Sequence, residues 1–479
     1  MRRTLLTADW LLAETGGRRR LMPRGEVVFE GGAVAFVGHG FPGEVAERLD
    51  FGPALISPGF VDLDALSDLD TTILGLDNGP GAAKGRVWPD SYVARGPYEM
   101  YSEAELAFQK RFAFAALIRA GITSALPIAS LFYREWGETA GEFEAAADAA
   151  EALGLRVWLG PAYRTGGQVV NAAGEIRAVF DEARGLAGLD EAADFAKRID
   201  GRAGGRIRAM FAPDRIETCT EALLTRTAAL AAEMGAPVRQ HCLQGATEIR
   251  LVRELHGCTP AEWLEKLGVL SPRWLLPHGT EATGRDFEIV RDAGAAIVHC
   301  PLVSARHGSA LRSLRRLIDM GVKVGMGTDT WPPDMIHIMQ LGLMLCRLAE
   351  GDALALRAGE IWDAATAGGA DALGRPDLGR LAEGARADAI VIPLDDTLRV
   401  PDPIQTILAA GPRARVSDVF VEGRRIMAGG LIPGVDEAAD MARAQAQFDG
   451  LIAKYPERTL GHPPVSAIFE PSFPVEPAP

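Results

Sequence analysis

Between Pro58 and Gly369 the chain alternates short apolar runs with longer stretches rich in alanine and leucine at helical spacing. Eight runs read as strands: PGFVDLDA (58–65), GITSALPI (121–128), LRVWLGPAY (155–163), RIRAMFAPD (206–214), APVRQHCL (236–243), RWLLPHG (273–279), AAIVHCP (295–301) and VKVGMGTD (322–329). Several begin just after a glycine that ends a helical pattern, as in AAEMGAPVRQH, RDAGAAIVHC and IDMGVKVGMGTD, where glycine permits a left-handed cap. Repeated strand–helix units predict parallel pairing through right-handed crossovers, and eight of them favour a closed (β/α)8 barrel over an open doubly wound sheet. No G-x-G-x-x-G fingerprint is present, which weighs further against the open sheet.

The flanks have another texture. Residues 1–56 contain EVVFEGGAVAFVG, two β-rich runs joined by Gly-Gly, a hairpin signal. Residues 376–432 contain ADAIVIPL and VSDVFVEGRRIMAGG, again strands with tight turns. The two ends are expected to pair into one small β-domain flanking a barrel of residues 57–375. A helix around Met441–Tyr455 and a proline-rich tail complete residues 433–479.

Composition narrows the function. With 479 residues, 48% of them hydrophobic, the chain can bury a large core. A net charge of −14 disfavours attraction to phosphate backbones, so no nucleic-acid partner is expected. No run reaches the roughly 20 apolar residues of a membrane span, and no membrane partner is expected. The five cysteines are scattered without C-x-x-C, which indicates neither a disulfide framework nor a thiolate zinc site and suits a reducing cytoplasm.

In a barrel, catalytic groups stand at the carboxyl ends of strands. His241, His278, His299 and Asp329 all fall there. Any one of them reads first as a satisfied core histidine or a helix cap, but four at equivalent places reverse that preference. Imidazole and carboxylate suit zinc, iron and similar divalent ions, which lower the pKa of a bound water.

With these residues in view the chain resembles the amidohydrolase superfamily, in the branch of cytosine, adenosine-analogue and chlorotriazine deaminases and dechlorinases. The matching pieces are ISPGFVD, APVRQHCLQG, LLPHGT, the run AAIVHCPLVSARHGSALRSLRRLIDMGVKVGMGTDT, GRLAEGARADAIVI and VFVEGRRIMAGG. The resemblance implies a barrel with a composite β-sandwich, a homo-oligomer, and hydrolysis at a carbon bearing an amine, amide or halide in a small, cyclic or planar molecule. It implies a metal-binding role for His241, a metal-binding and proton-accepting role for Asp329, and a water-orienting or substrate-polarising role for His278. His299 aligns with a substrate-side histidine. Two motifs depart: the strand-one H-x-H is Asp64-Ala65-Leu66, and the strand-five H-x-x-E is His241-Cys242-Leu243-Gln244. Leucine cannot coordinate an ion, and glutamine cannot shuttle a proton as glutamate does.

Three readings follow. Asp64 joins His241, His278 and Asp329 around one divalent ion, zinc or iron; or no ion binds and Asp329 works with a histidine as an acid–base pair in a hydrolase, lyase or isomerase; or the barrel is a catalytically inactive binding protein. Asp64 also has a plainer reading, as a helix cap or salt-bridge partner. Expected substrate contacts are Tyr163 and Arg164 after the third strand, Asp214 after the fourth, Gln244, His299, and Trp331 beside Asp329. The Gly- and Pro-rich segment Thr71–Met100 reads as a lid or subunit contact.

Overall fold

The computed structural model describes residues 3–69, 87–128, 131–311 and 313–476. All eight expected strands are present: β1 (Phe60–Leu66), β2 (Ile122–Ile128), β3 (Arg156–Leu159), β4 (Ile207–Ala209), β5 (Val238–Arg239), β6 (Trp274–Pro277), β7 (Ala296–His299) and β8 (Lys323–Met326). They form one parallel sheet in the order β4-β3-β2-β1-β8-β7-β6-β5. Its two outermost strands are brought together by Phe211, whose N–H donates to the Pro237 carbonyl and whose carbonyl accepts from the Arg239 N–H, both at 2.9 Å. Each β-branched or leucine-rich run is too short to be a stable helix and is buried on both faces, as a strand between helices requires.

The crossover helices carry clear start and stop signals. Helix Glu103–Arg119 opens with a Ser102/Glu105 capping box, and helix Ala140–Leu153 with a Thr139/Glu142 box and a left-handed Gly154 at its end. Glu142 also pairs with buried Arg134 at 2.6 Å and with buried Lys110 at 2.7 Å, and Glu99 and Glu138 stand beside the same two cations. Of the segment read as a lid or subunit contact, residues 71–86 lie outside the described residues. The remainder packs Trp88, Tyr92 and Met100, with the following Tyr101, against Leu451, Tyr455 and Ile468 of the C-terminal segment.

Both ends of the chain contribute to one six-stranded sheet, where Ala54–Pro58 pairs antiparallel with Ala389–Pro393. A second sheet of four strands comes from the N-terminal residues, and the Gly31–Gly32 turn joins its Glu26–Glu30 and Ala33–Gly38 strands as the hairpin signal predicts. The two parts of the molecule are tied by a buried ion cluster: Arg156 at the start of β3 donates to both oxygens of Asp388 at 3.2 Å and to Glu422 at 3.4 Å.

Breaking a buried pair leaves an uncompensated charge, which costs about 3–5 kcal/mol. Asp388→Ala is therefore expected to lose about that much stability by urea denaturation. Arg156→Met combined with Asp388→Leu should recover most of it, because apolar replacement of both partners leaves no charge stranded.

Candidate active site

The site begins with the way β1 and β8 are fastened at their carboxyl ends. Asp62 accepts from the Thr328 N–H at 3.0 Å, the Thr328 hydroxyl at 2.6 Å and the Asp64 N–H at 3.1 Å. The Asp329 N–H in turn donates to the Asp64 carbonyl at 2.8 Å. Gly327 makes this approach feasible, since a Cβ there would fall 2.7 Å from that of Asp64 and 2.8 Å from Cys300 Sγ. The two aspartates are thereby set side by side.

His241 and His278 follow β5 and β6, with the neighbouring Cys242 bridged to His278. Their rings stack with centroids 5.1 Å apart. Nε2 of His241 lies 3.5 Å from Asp64 Oδ2, and Nε2 of His278 lies 3.5 Å from Asp329 Oδ2. One ligand atom from each of Asp64, His241, His278 and Asp329 falls within 4.8 Å of all the others. His278 (φ +81°) and Asp329 (φ +40°) hold left-handed backbone that non-glycine residues rarely adopt, at a cost of order 1–3 kcal/mol each. Strain of this kind persists only where the surroundings over-determine it.

Burial opposes the negative charge of Asp64, but the facing His241 and the Arg239 guanidinium offset this and hold its carboxyl below the usual carboxylate range. Arg239 Nη1 donates to Asp64 Oδ1 at 2.9 Å, leaving Oδ2 turned toward His241. Burial, and then the neighbouring His241, push the His278 imidazole well below its ordinary value. That ring is neutral at pH 7. Both of its nitrogens are buried without a hydrogen-bond partner.

The expected substrate contacts divide. Arg164 is buried, with Nη1 3.9 Å from Asp214 Oδ2 and its guanidinium over the Trp88 and Trp136 rings. Gln244 accepts from Arg215 Nη1 at 2.5 Å, while its own N–H donates to Glu248. Tyr163 instead faces the helix layer, its hydroxyl 2.9 Å from Thr227 Oγ1. His299 also points away: a Cβ on Gly342 of helix Met335–Glu350 would stand 3.1 Å from His299 Nε2. The period of two along β7 places Val298 and Cys300 on the opposite face from His299, and it is the Cys300 thiol that approaches Asp64, at 3.7 Å. Trp331 stacks on Phe112 at 5.2 Å beside Leu69, Phe108 and Ala444. The cavity it lines, about 370 Å³, shares no lining residue with the four-residue cluster.

Arg239 and Arg215 escaped the sequence reading. The signal for Arg239 was there, since it stands two residues before His241 and so shares its face of the strand. Arg215 lies just past Asp214, within electrostatic reach of Asp329 and His278.

Four imidazole and carboxylate groups thus converge at the strand ends of an α/β scaffold. Residues 81–426 match the model of the Amidohydrolase family, and the chain belongs to that family. It is an amidohydrolase-type hydrolase acting on carbon–nitrogen bonds of small molecules. A 5-methylthioadenosine/S-adenosylhomocysteine deaminase of Haloarcula marismortui is 29% identical over 418 residues, spanning 85% of this chain and 89% of that protein. One from Desulforudis audaxviator is 31% identical over 60% of this chain and 70% of its own length. Among solved structures, a zinc-bound adenosine deaminase from Xanthomonas campestris superposes with a TM-score of 0.75 at 20% identity, covering 93% of this chain and 98% of that one. Zinc-complexed atrazine chlorohydrolase from Arthrobacter aurescens gives 0.74 at 21%, covering 93% and 99%.

His299 offers a test of its outward placement. Burial lowers its imidazole from 6.5 to about 4. Between those values the unfolded chain binds the proton and the folded chain does not, so stability is lost as pH falls from 6.5 toward 4. His299→Leu should remove that acid sensitivity, worth on the order of 3 kcal/mol at pH 4, while leaving turnover at neutral pH intact. Calorimetric melting against pH and a parallel activity assay read both; lost turnover with an unchanged acid limb would put His299 at the substrate instead.

Proposed function

We propose that the chain is a metal-dependent deaminase of a small aminated heterocycle such as the adenine ring of a 5′-modified nucleoside. The observation that carries this reading is the convergence of Asp64, His241, His278 and Asp329. Its scaffold on this reading is a closed (β/α)8 barrel of residues 57–375, supported by the Phe211 bridge between β4 and β5, with a sandwich from residues 1–56 and 376–432. Assembly as a homo-oligomer in the cytoplasm belongs to the same proposal. Exposed Met344 and Leu348 on one helix face support the former, five unpaired thiols the latter.

The donor set fits a divalent ion. A buried neutral imidazole with neither nitrogen hydrogen-bonded holds a lone pair that a divalent ion would take up. Asp64 Oδ2, His241 Nε2, His278 and Asp329 would hold it, and mixed nitrogen and oxygen donors suit zinc, iron or manganese. When bound, the ion lowers the pKa of a water toward neutrality and polarises the electrophilic carbon.

The chain's own residues supply the rest. Asp329 accepts a proton from the water as its oxygen adds to the amine-bearing carbon, and returns it to the nitrogen that leaves as ammonia. His278 orients that water. Arg239 keeps Asp64 ionised and fixes its orientation. Gln244, tied to Arg215, positions the substrate and moves no proton.

One observation favours a metal-free variant: Asp64 Oδ1 already has a cation, the Arg239 guanidinium. Elemental analysis of protein purified without chelator separates the two, with about one ion per chain expected and lost in His278→Ala. Ammonia release should be measured with 5′-methylthioadenosine, 5′-deoxyadenosine and S-adenosylhomocysteine. Asp329→Asn is expected to lower kcat by roughly 10²–10⁴-fold with KM little changed. Turnover by an ion-free protein would reject the metal; undiminished turnover in Asp329→Asn would reject the mechanism.

A further inference from the structure

Two buried arginines outside the four-residue cluster have no adequate counter-charge. Arg164 is 7% exposed and Arg458 2%. Nε and Nη2 of each are buried without a hydrogen-bond partner. The pair share one indole: Arg164 stands 4.8 Å from the Trp88 ring centroid and Arg458 5.7 Å. Arg458 is otherwise surrounded by the Tyr92 ring at 5.8 Å and the Met100 sulfur, 4.0 Å from its Nη1. Among the described residues it forms no ion pair with a carboxylate. Arg164 reaches only Asp214, at 3.9 Å. Burial, with Arg164 among the nearby charges, brings the Arg458 guanidinium down to about 10.

Guanidinium groups rarely stay buried with free N–H donors, because each donor left unsatisfied costs of order 1–3 kcal/mol and an unpaired charge more. A fixed fork of donors matches the geometry of a carboxylate or phosphate. Arg164 follows β3, and its partner Asp214 immediately precedes Arg215, which holds Gln244 in the His241 loop. The arginines thus stand on the β3–β4 side of the strand ends. Arg458 lies beyond residues 81–426, so the family match does not include it.

We infer that Arg164 and Arg458, both set against the Trp88 ring, bind an anionic oxygen group, a carboxylate or a phosphate, carried by the small molecule hydrolysed at the strand ends. This rests on the deaminase reading for the identity of the molecule, but not for the anion site. An anion entering here would satisfy the four orphaned donors and neutralise the pair, while the indole closes one side of the site to water.

Thermal unfolding of the full chain at fixed ionic strength, in chloride alone, with added inorganic phosphate and with added acetate, tests it. Wild type should show a saturable rise in Tm with phosphate or with acetate, and the more effective probe identifies the group. Without either anion, Arg458→Met should melt above wild type, since an unpaired buried charge is gone; a structural role would make it melt lower. Arg164→Met and Arg458→Met should both lose the anion response. Should Arg458→Met fail to fold, Arg458→Lys should keep the response with roughly ten-fold weaker apparent affinity. No response in wild type, or equal responses in wild type and Arg164→Met, would overturn the inference. Because no turnover is measured, a saturable response in a chain that releases no ammonia keeps the anion site and rejects the deaminase, and the reverse result does the opposite.

Discussion

Two carboxylates and two imidazoles are held together in a site nearly closed to water, and the rest of the structure answers to that constraint. Like charges about 4 Å apart repel by about 4 kcal/mol at the effective dielectric of a protein. Asp64 and Asp329 are nonetheless kept adjacent by backbone, through the Asp329 N–H to the Asp64 carbonyl and the Asp62–Thr328 clasp. Such an arrangement demands positive charge nearby. Arg239 supplies part of it, bonded to the outer oxygen of Asp64. The inner oxygen faces His241, and neither nitrogen of His278 has a hydrogen-bond partner.

This demand explains where strain is tolerated. Positive φ at His278, Leu243 and Asp329 falls at the ends of β5, β6 and β8 and not in the strands themselves. Regular strand geometry would alternate these side chains between faces; a left-handed residue at the strand end turns the chain and aims the functional group. The cost is carried by a large surrounding core, in which Trp274, Phe211 and Ile297 are wholly buried.

The eight strands were legible in the sequence because each is a short apolar run, several of them opening just after a helix-stopping glycine, a signal independent of tertiary context. The terminal sheets were legible for the same reason, from Gly-Gly and Glu-Gly turns between β-rich runs. Positions at strand ends were legible only to within the parity of each strand. At β5 the count from His241 works, and Arg239 could have been found by it. At β7 the histidine drew attention because of its chemistry, although the pleat turns His299 to the helices and Cys300 inward. Tyr163 and Trp331 were misplaced by the same habit: both follow strand ends, but the hydroxyl of one and the ring of the other find partners in the surrounding layer. Aromatic packing partners distant in sequence leave no local trace. Neither does the pairing of Arg215 with Gln244, which depends on how two loops meet.

The two departures from the resembled motifs are best understood together. Replacing the first histidine of H-x-H by Asp64 adds a negative charge to the site, and replacing the glutamate of H-x-x-E by Gln244 removes one. The number of carboxylates among the motif positions is therefore unchanged, though the charge has moved from the loop after β5 to the end of β1. The surrounding arginines follow that move. Arg239 is bonded to the carboxylate at its new place, and Arg215, which would have paired with a glutamate at position 244, instead donates to the neutral amide that replaced it. A site that had merely decayed would carry no reason for a gain on one strand to match a loss on another. Matched substitution with the arginines in register conserves the charge of the motif positions and moves it to the end of β1, where the Arg239 guanidinium is bonded to it.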